Sequence, residues 1–183
     1  MNIFALDIDP RMPAIYLDNK RVGKLLMEAC QLMSHAVALH DPEVCEFDFH
    51  PLGLCGSPNP TKGYVNGPVS KWVRSNQRRY DWTFCYATAL AEEFEFRFGK
   101  QHASARRLPR LAQFNHCLSD GPLLPFQNSA RHQELGIDYT HLEAPESYRQ
   151  YTSHRWETDK LTPVWTGRAE PEWRQPLCEL LAA

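Results

Sequence analysis

The stretch Tyr16-Leu17-Asp18-Asn19-Lys20-Arg21-Val22-Gly23-Lys24-Leu25-Leu26-Met27-Glu28-Ala29-Cys30-Gln31-Leu32-Met33 decides how the chain folds. Wound at 100° per residue, it separates into two sides. Val22, Leu25, Leu26, Ala29, Leu32, Met33, Ala36 and Val37 share one broad apolar side. Lys20, Lys24, Glu28, Gln31 and His35 fall on the other. Such segregation predicts an amphipathic helix running to about His40. Its polar stripe has two readings. One is a solvated face on which Lys24 and Glu28 support each other at i, i+4 spacing. The other is a cleft wall carrying cations and a carboxylate. Periodicity alone does not choose between them.

The 183 residues suffice for one core of ordinary size, and 43% hydrophobic with 23% charged content is normal for a globular domain. No apolar run approaches the ~20 residues needed to span a bilayer, so no membrane partner is expected. Asp7 and Asp9 with no basic start argue against a signal peptide. The six cysteines form no CxxC pair and read as reduced thiols in a cytosol. Net charge is only −2, but the signs are segregated. Lys71, Arg74, Arg78 and Arg79 cluster, and Arg97, Lys100, Arg106, Arg107 and Arg110 follow with no acid from Phe96 to Ser119. A local basic face on a near-neutral chain suits a polyanion.

Taken in order, Asn2 to Asp9 reads as a strand or an extended buried segment. A short helical turn from Pro10 through Tyr16 leads into the long helix. Residues 41–67 form a long irregular loop, rich in Pro and Gly. Pro68 suits a first helical position, and a short helix over Val69 to Ser75 carries Lys71 and Trp72. A longer helix runs from about Gln77 to Phe98 and stops at Gly99. Tyr80, Phe84, Ala87, Ala91, Phe94 and Phe98 give it one apolar side; Trp82, Cys85, Ala89 and Phe96 give it a second. That pattern places it centrally, between neighbours. Ser104 to Cys117 looks helical with a break near Pro109. Residues 118–140 look irregular, a helix over about Ala144 to Trp156 follows, and the tail holds Trp165, Trp173 and a short helix near Leu177. The expected fold is mainly α: one helical domain over 1–183, with a short strand at most at its start.

Among chemistries, no HExxH, GxGxxG, Walker loop or GxSxG is present, and no dedicated metal cluster is visible. What survives is Lys20, Lys24, Lys71 and Arg74 with Trp72, Glu28 and His102. Cations hold phosphate oxygens and stabilise a phosphate leaving group. A carboxylate or His takes a proton from an incoming nucleophile. Trp72 could stack a base or simply anchor the core, and His102 could be a surface residue past a helix end.

Asn2-Ile3-Phe4, Leu6-Asp7, Asp9-Pro10, Asp18-Asn19-Lys20-Arg21-Val22, Lys24, Glu28 and Gln31-Leu32 resemble the opening of a family of phage proteins. Pro68, Lys71-Trp72-Val73-Arg74, Asn76, Tyr80, Trp82, Glu92, Arg97-Phe98-Gly99-Lys100, His102, Tyr148-Arg149, Tyr151 and Pro171-Glu172-Trp173 extend the likeness over nearly the whole chain. The set resembles the proteins once called glutamyl/putrescinyl thymine pyrophosphorylases, regarded as amino acid:DNA transferases of thymidine hypermodification. A looser resemblance runs to pyrimidine-dimer DNA glycosylase-like proteins. Many relatives have Asp-Lys-His where this chain has Asn19-Lys20-Arg21, so no His is available at position 21.

The first resemblance implies a phage-encoded enzyme of the host cytoplasm that acts on double-stranded phage DNA. Its substrate would be 5-hydroxymethyl-deoxyuridine activated as a pyrophosphate ester. A free amino acid, glycine foremost, would displace the pyrophosphate. Glu28, Lys24, Lys71 and His102 would then be catalytic, and Asp18, Asn19, Lys20, Arg21, Trp72, Arg74 and Tyr80 would bind substrate. Arg78, Arg79, Lys100, Arg106 and Arg107 would hold DNA, with the target base flipped onto Trp72 or Tyr80. Mg²⁺ could help hold the pyrophosphate, though no carboxylate cluster is dedicated to it. One alternative is a base-excision glycosylase. It needs an amine nucleophile, such as the chain terminus after Met1 removal, for which Asn2 is large. Another is a non-catalytic DNA-binding phage protein. The basic runs predict DNA binding that weakens with salt, each lost phosphate contact flattening the slope of log affinity against log salt by about one unit. Binding insensitive to salt in a titration would exclude phosphates as the main contacts.

Overall fold

The computed structural model describes residues 2–40 and 65–174, mainly as helices. Helices α1 (Met12–Tyr16) and α2 (Asn19–His40) come first, then α3 (Pro68–Val73) and α4 (Gln77–Phe98). A 3₁₀ turn at Ala103–Arg107, the single-turn α5 (Leu108–Leu111) and a second 3₁₀ turn at Ala112–Cys117 follow. Strand β1 (Arg131–His132) pairs antiparallel with β2 (Ile137–Asp138), Arg131 opposite Asp138. Helix α6 (Ala144–Thr158) completes the order. The loop expected over 41–67 falls almost wholly outside the described residues, as does the helix expected near Leu177. The irregular stretch expected over 118–140 contains the two-stranded ribbon, too short to show in a period-2 pattern.

The two long helices pack against each other at the centre. Val22, Leu25, Leu26, Ala29, Leu32 and Met33 of α2 are buried, with Tyr80, Trp82, Tyr86, Ala87 and Leu90 of α4. Gly23 permits the close approach. A Cβ there would stand 3.1 Å from the Phe94 ring, tighter than ordinary van der Waals contact. The caps of α4 follow from its sequence. The Asn76 side chain accepts from the Arg79 N–H at the N-terminus, and Gly99 takes a left-handed φ of 63° at the C-terminus.

The buried side of α4 runs along Tyr86, Leu90, Glu93 and Arg97, whereas Phe96 and Phe98 lie at the surface. Two charges hold that interior stripe because they satisfy each other. Arg97 Nε donates to Glu93 at 2.6 Å, and its two terminal nitrogens donate to the carbonyls of Leu17, Ala14 and Ile15. Those carbonyls are the open C-terminal end of α1 and would otherwise lack partners. Arg168 closes the group on Glu93 at 2.8 Å.

The first residues form no strand. Ile3, Ala5 and Leu6 are buried in extended chain, but side chains from the helices replace a partner strand. Trp82 Nε1 donates to Ile8 O at 2.7 Å, and Arg149 Nε donates to Leu6 O at 2.9 Å. Phe4 stacks on Tyr148 at 5.4 Å and meets Tyr151 edge-on at 5.5 Å. This segment therefore joins α2 and α4 to α6. Trp165 and Trp173 pack on Trp156, and Trp173 also meets Tyr16 of α1.

Arg97→Met should cost about 3–5 kcal/mol of stability, because it leaves the buried Glu93 carboxylate to Arg168 alone and three helix-end carbonyls without their donor. Chemical denaturation checks this. A loss below about 1 kcal/mol would show that the network contributes no more than a surface pair.

Candidate active site

One cleft of about 500 Å³ opens beside the N-terminal half of α2. Its first wall is the polar stripe of that helix: Lys20, Arg21, Lys24 and Glu28, with Asn2 and Phe4 of the extended segment beside them. Its second wall comes from far along the chain: Arg131 and His132 of the ribbon, Tyr151 and Arg155 of α6, and Asp159 just past its end. The α2 stripe does not stay open along its length. Gln31 is 3% exposed and His35 is 2% exposed, so the stripe passes from cleft to interior about one turn beyond Glu28.

Asp159 ties the walls together. Its carboxylate meets Arg155 at 2.5 Å, Arg21 at 2.9 Å and Lys20 at 3.2 Å. Burial pushes the Asp159 pKa up, but the Arg155 hydrogen bonds, the Arg21 charge and the Lys20 contact outweigh it and leave the value lowered. Arg21 is further fixed by Asp18 at 3.1 Å and lies against the Trp156 ring. Asn19 turns away, bonding Thr166 at 2.8 Å and accepting from Arg97. Asp18 and Asn19 thus brace the cleft from behind, and Lys20 and Arg21 face it.

Glu28 sits deeper, its side chain 12% exposed. One carboxylate oxygen accepts from the main-chain nitrogen of Asn2 at 2.6 Å. The other lies 3.8 Å from Lys24 Nζ, whose side chain is 58% exposed. Asn2 is held from the opposite side: its Oδ1 accepts from the Tyr148 hydroxyl at 3.0 Å. Two nitrogens therefore stand against one carboxylate, in a space where Lys20, Arg21, Lys24, Arg131 and Arg155 outnumber the two acids. An anion entering here meets unspent positive charge.

The other residues singled out from the sequence lie elsewhere. Trp72 is buried, with its indole donating to Pro125 O at 2.7 Å and packing on Trp82 and Phe126. Tyr80 is buried and donates to Leu111 O at 2.9 Å. Arg74 donates to Val65 O, and Lys71 is exposed on α3. His102 caps the 3₁₀ turn through Ser104 N at 3.1 Å and rests edge-on against Phe94; burial lowers its pKa. None of these five lines the cleft, and neither Trp72 nor Tyr80 offers a free ring to a base. Arg79 is held by Leu123 O and by Ser75, and lies over Trp72, so it braces the fold. Arg78 is open apart from an exposed pair with Asp120, and Lys100, Arg106 and Arg107 lie outside the cleft.

Asn2, Arg131, His132, Tyr151, Arg155 and Asp159 joined the site only through the fold. Arg155 and Asp159 carried one signal, an i, i+4 pair of opposite charge at a helix end. The cleft does not suit a dedicated Mg²⁺ site. Glu28 is taken up by Asn2 and Lys24, and Asp159 by three cations. Among the described residues no group of three or more His, Cys, Asp or Glu could hold a metal ion, and no helix is long and apolar enough to cross a membrane.

Asp159→Asn should destabilise the fold by about 1.5–3 kcal/mol at neutral pH, as for lost hydrogen bonds to charged groups. A lowered carboxylate pKa contributes stability that is fully present above the ordinary aspartate value of 3.8 and is lost as pH falls through the lowered one. The stability gap between wild type and variant should therefore close across that acidic window. A gap unchanged down to the acid transition would mean that the charge of Asp159 does not hold the walls together.

No curated protein and no solved structure matches the chain. A family model described as pyrimidine dimer DNA glycosylase matches residues 1–107. The match takes in the first wall of the cleft, with Asn2, Lys20, Lys24 and Glu28, and ends before the second wall begins. It covers more than half of the 183 residues, and on that ground the chain belongs to the pyrimidine dimer DNA glycosylase family.

Proposed function

We propose that the protein is a DNA-acting enzyme that excises a pyrimidine base in this cleft, with an amine of the protein as nucleophile and Glu28 as proton acceptor. The contact that carries the reading is the Glu28 carboxylate set between two nitrogens, Asn2 N at 2.6 Å and Lys24 Nζ at 3.8 Å. Family membership supports the substrate class. The reacting nitrogen bonds to C1′ of the deoxyribose as the glycosidic bond breaks. Glu28 takes the nitrogen's proton, and the departing base takes one up in exchange. Opening of the sugar then leaves an imine between protein and DNA. Lys24 Nζ is an amine as it stands; Asn2 N becomes one only if Met1 is removed. Lys20, Arg21, Arg131 and Arg155 hold the phosphates on either side, and the target nucleotide leaves the stack to reach Glu28.

A second reading is favoured by the excess of cations and by the room in the cleft. An activated pyrimidine would lose pyrophosphate to a free amino acid, Glu28 would accept the ammonium proton, and Lys24 would stabilise the departing pyrophosphate. Both readings place proton transfer on Glu28, but the products differ. Excision leaves the imine, from which β-elimination of the 3′-phosphate breaks the strand and hydrolysis frees the amine. Transfer gives a nucleoside of increased mass.

The test incubates the protein with duplex DNA bearing pyrimidine dimers, and separately with pyrophosphorylated DNA plus amino acids. Strand length and nucleoside masses are the readouts. Scission of dimer-bearing DNA is expected, with Glu28→Gln slowed about 10²–10³-fold and partly recovering towards about pH 10, where amines shed their protons unaided. Mass gain without scission selects amino acid transfer, in which Lys24→Met should cost about 10²–10³-fold in turnover. Full activity of folded Glu28→Gln with the wild-type pH profile would remove Glu28 from either mechanism.

A further inference from the structure

We propose that a groove leading out of the cleft carries the DNA strand flanking the reacting nucleotide, with Leu135 and Leu161 set against its bases. The inference rests on the reading of the cleft as a DNA-acting site. A second cavity of about 550 Å³ adjoins the first and shares Lys20, His132, Arg155 and Asp159 with it. The two form one continuous surface. Lys20, Arg155 and Lys160 give the extension positive charge, and its one acid, Asp159, is already held by three cations. Among the described residues, phosphates entering this groove meet cations and no free carboxylate.

Charge alone does not account for the two leucines. Leu135 is 42% exposed and Leu161 is 66% exposed, and both line the same groove. Leu135 stands on the 3₁₀ turn Gln133–Leu135 between the two ribbon strands. Gly136 closes that turn with a left-handed φ of 64° and donates to Gln133 O at 3.1 Å. The turn therefore holds its apolar tip in place. Exposed apolar side chains beside a cationic floor match a polyanion whose interior is apolar, that is, a nucleic-acid strand with partly unstacked bases. An uncharged peptide would not need the cations, and a free phosphate would not need the leucines.

Apart from Lys20, every residue lining the groove follows residue 107, where the family match ends. The shared portion of the chain thus supplies the reacting group, and the later portion supplies the grip on the flanking strand.

The test uses a short fluorescein-labelled duplex and a second duplex with a fluorescent purine analogue beside the target pyrimidine. Lys160→Ala should flatten the slope of log affinity against log salt by about one unit. Leu135→Ala with Leu161→Ala should abolish most of the fluorescence rise that unstacking produces on binding. Both leucines are exposed, so unchanged thermal midpoints are expected and serve as the folding control. If Lys24→Met impairs binding while the groove variants match wild type in slope and fluorescence, the groove is overturned and the cleft reading stands. If the wild-type protein binds neither duplex, the cleft reading fails and takes the groove with it.

Discussion

The 2.6 Å contact between the Asn2 nitrogen and the Glu28 carboxylate fixes where the chain begins its path through the fold. It pins the extended first residues to the central helix. Phe4 is then set against Tyr148 and Tyr151, and the backbone of Leu6 and Ile8 against Arg149 and Trp82. Through those contacts α6 is carried over α2, and Arg155 and Asp159 arrive opposite Lys20 and Arg21. A carboxylate this well covered is costly to leave alone, and the nitrogens around it offset that cost. The group that organises the chain's first residues is thus the one proposed to accept the proton in the cleft.

Charge is distributed here with two effects. Asp159 binds three cations and so holds the walls at a fixed separation; Lys24, Arg131 and the outer face of Lys20 remain open to solvent. Without Asp159, the facing cations of the two walls would repel one another across a narrow gap. With it, the cleft keeps a positive excess in a rigid frame. Charge held in place in this way meets an anionic ligand without rearranging when it binds.

The helical fold was legible because its two long helices announce themselves by period, and the second also by its stop at Gly99. The α2 stripe was legible as a set of residues on one side, but not as a cleft. That needed a second wall, and Arg131, His132, Tyr151, Arg155 and Asp159 lie more than a hundred residues away with no pattern linking them to Lys20. Trp72, Tyr80 and His102 show the opposite limit. Each is a type that serves chemistry or packing equally well; Pro125 and Leu111, distant in sequence, turned Trp72 and Tyr80 to packing, and the nearby Ser104 and Phe94 turned His102 to capping. Of the two readings of the first residues, strand or extended buried segment, the second holds, because helix side chains, invisible to a propensity argument, took up their backbone groups. Buried Glu93 and Arg97 escaped an apolar pattern for the same reason: their pairing, not their polarity, decides where they sit.

In the proposed mechanism an amine standing against Glu28 attacks the sugar of a pyrimidine nucleotide. Borohydride reduction of the protein mixed with dimer-bearing duplex, followed by peptide mapping, tests it directly. The expected product is a covalent protein–DNA adduct whose cross-linked peptide contains Lys24 or residue 2, and whose yield collapses in Glu28→Gln. Excision of the base with no trapped adduct, or an adduct on a lysine outside the cleft, would contradict it.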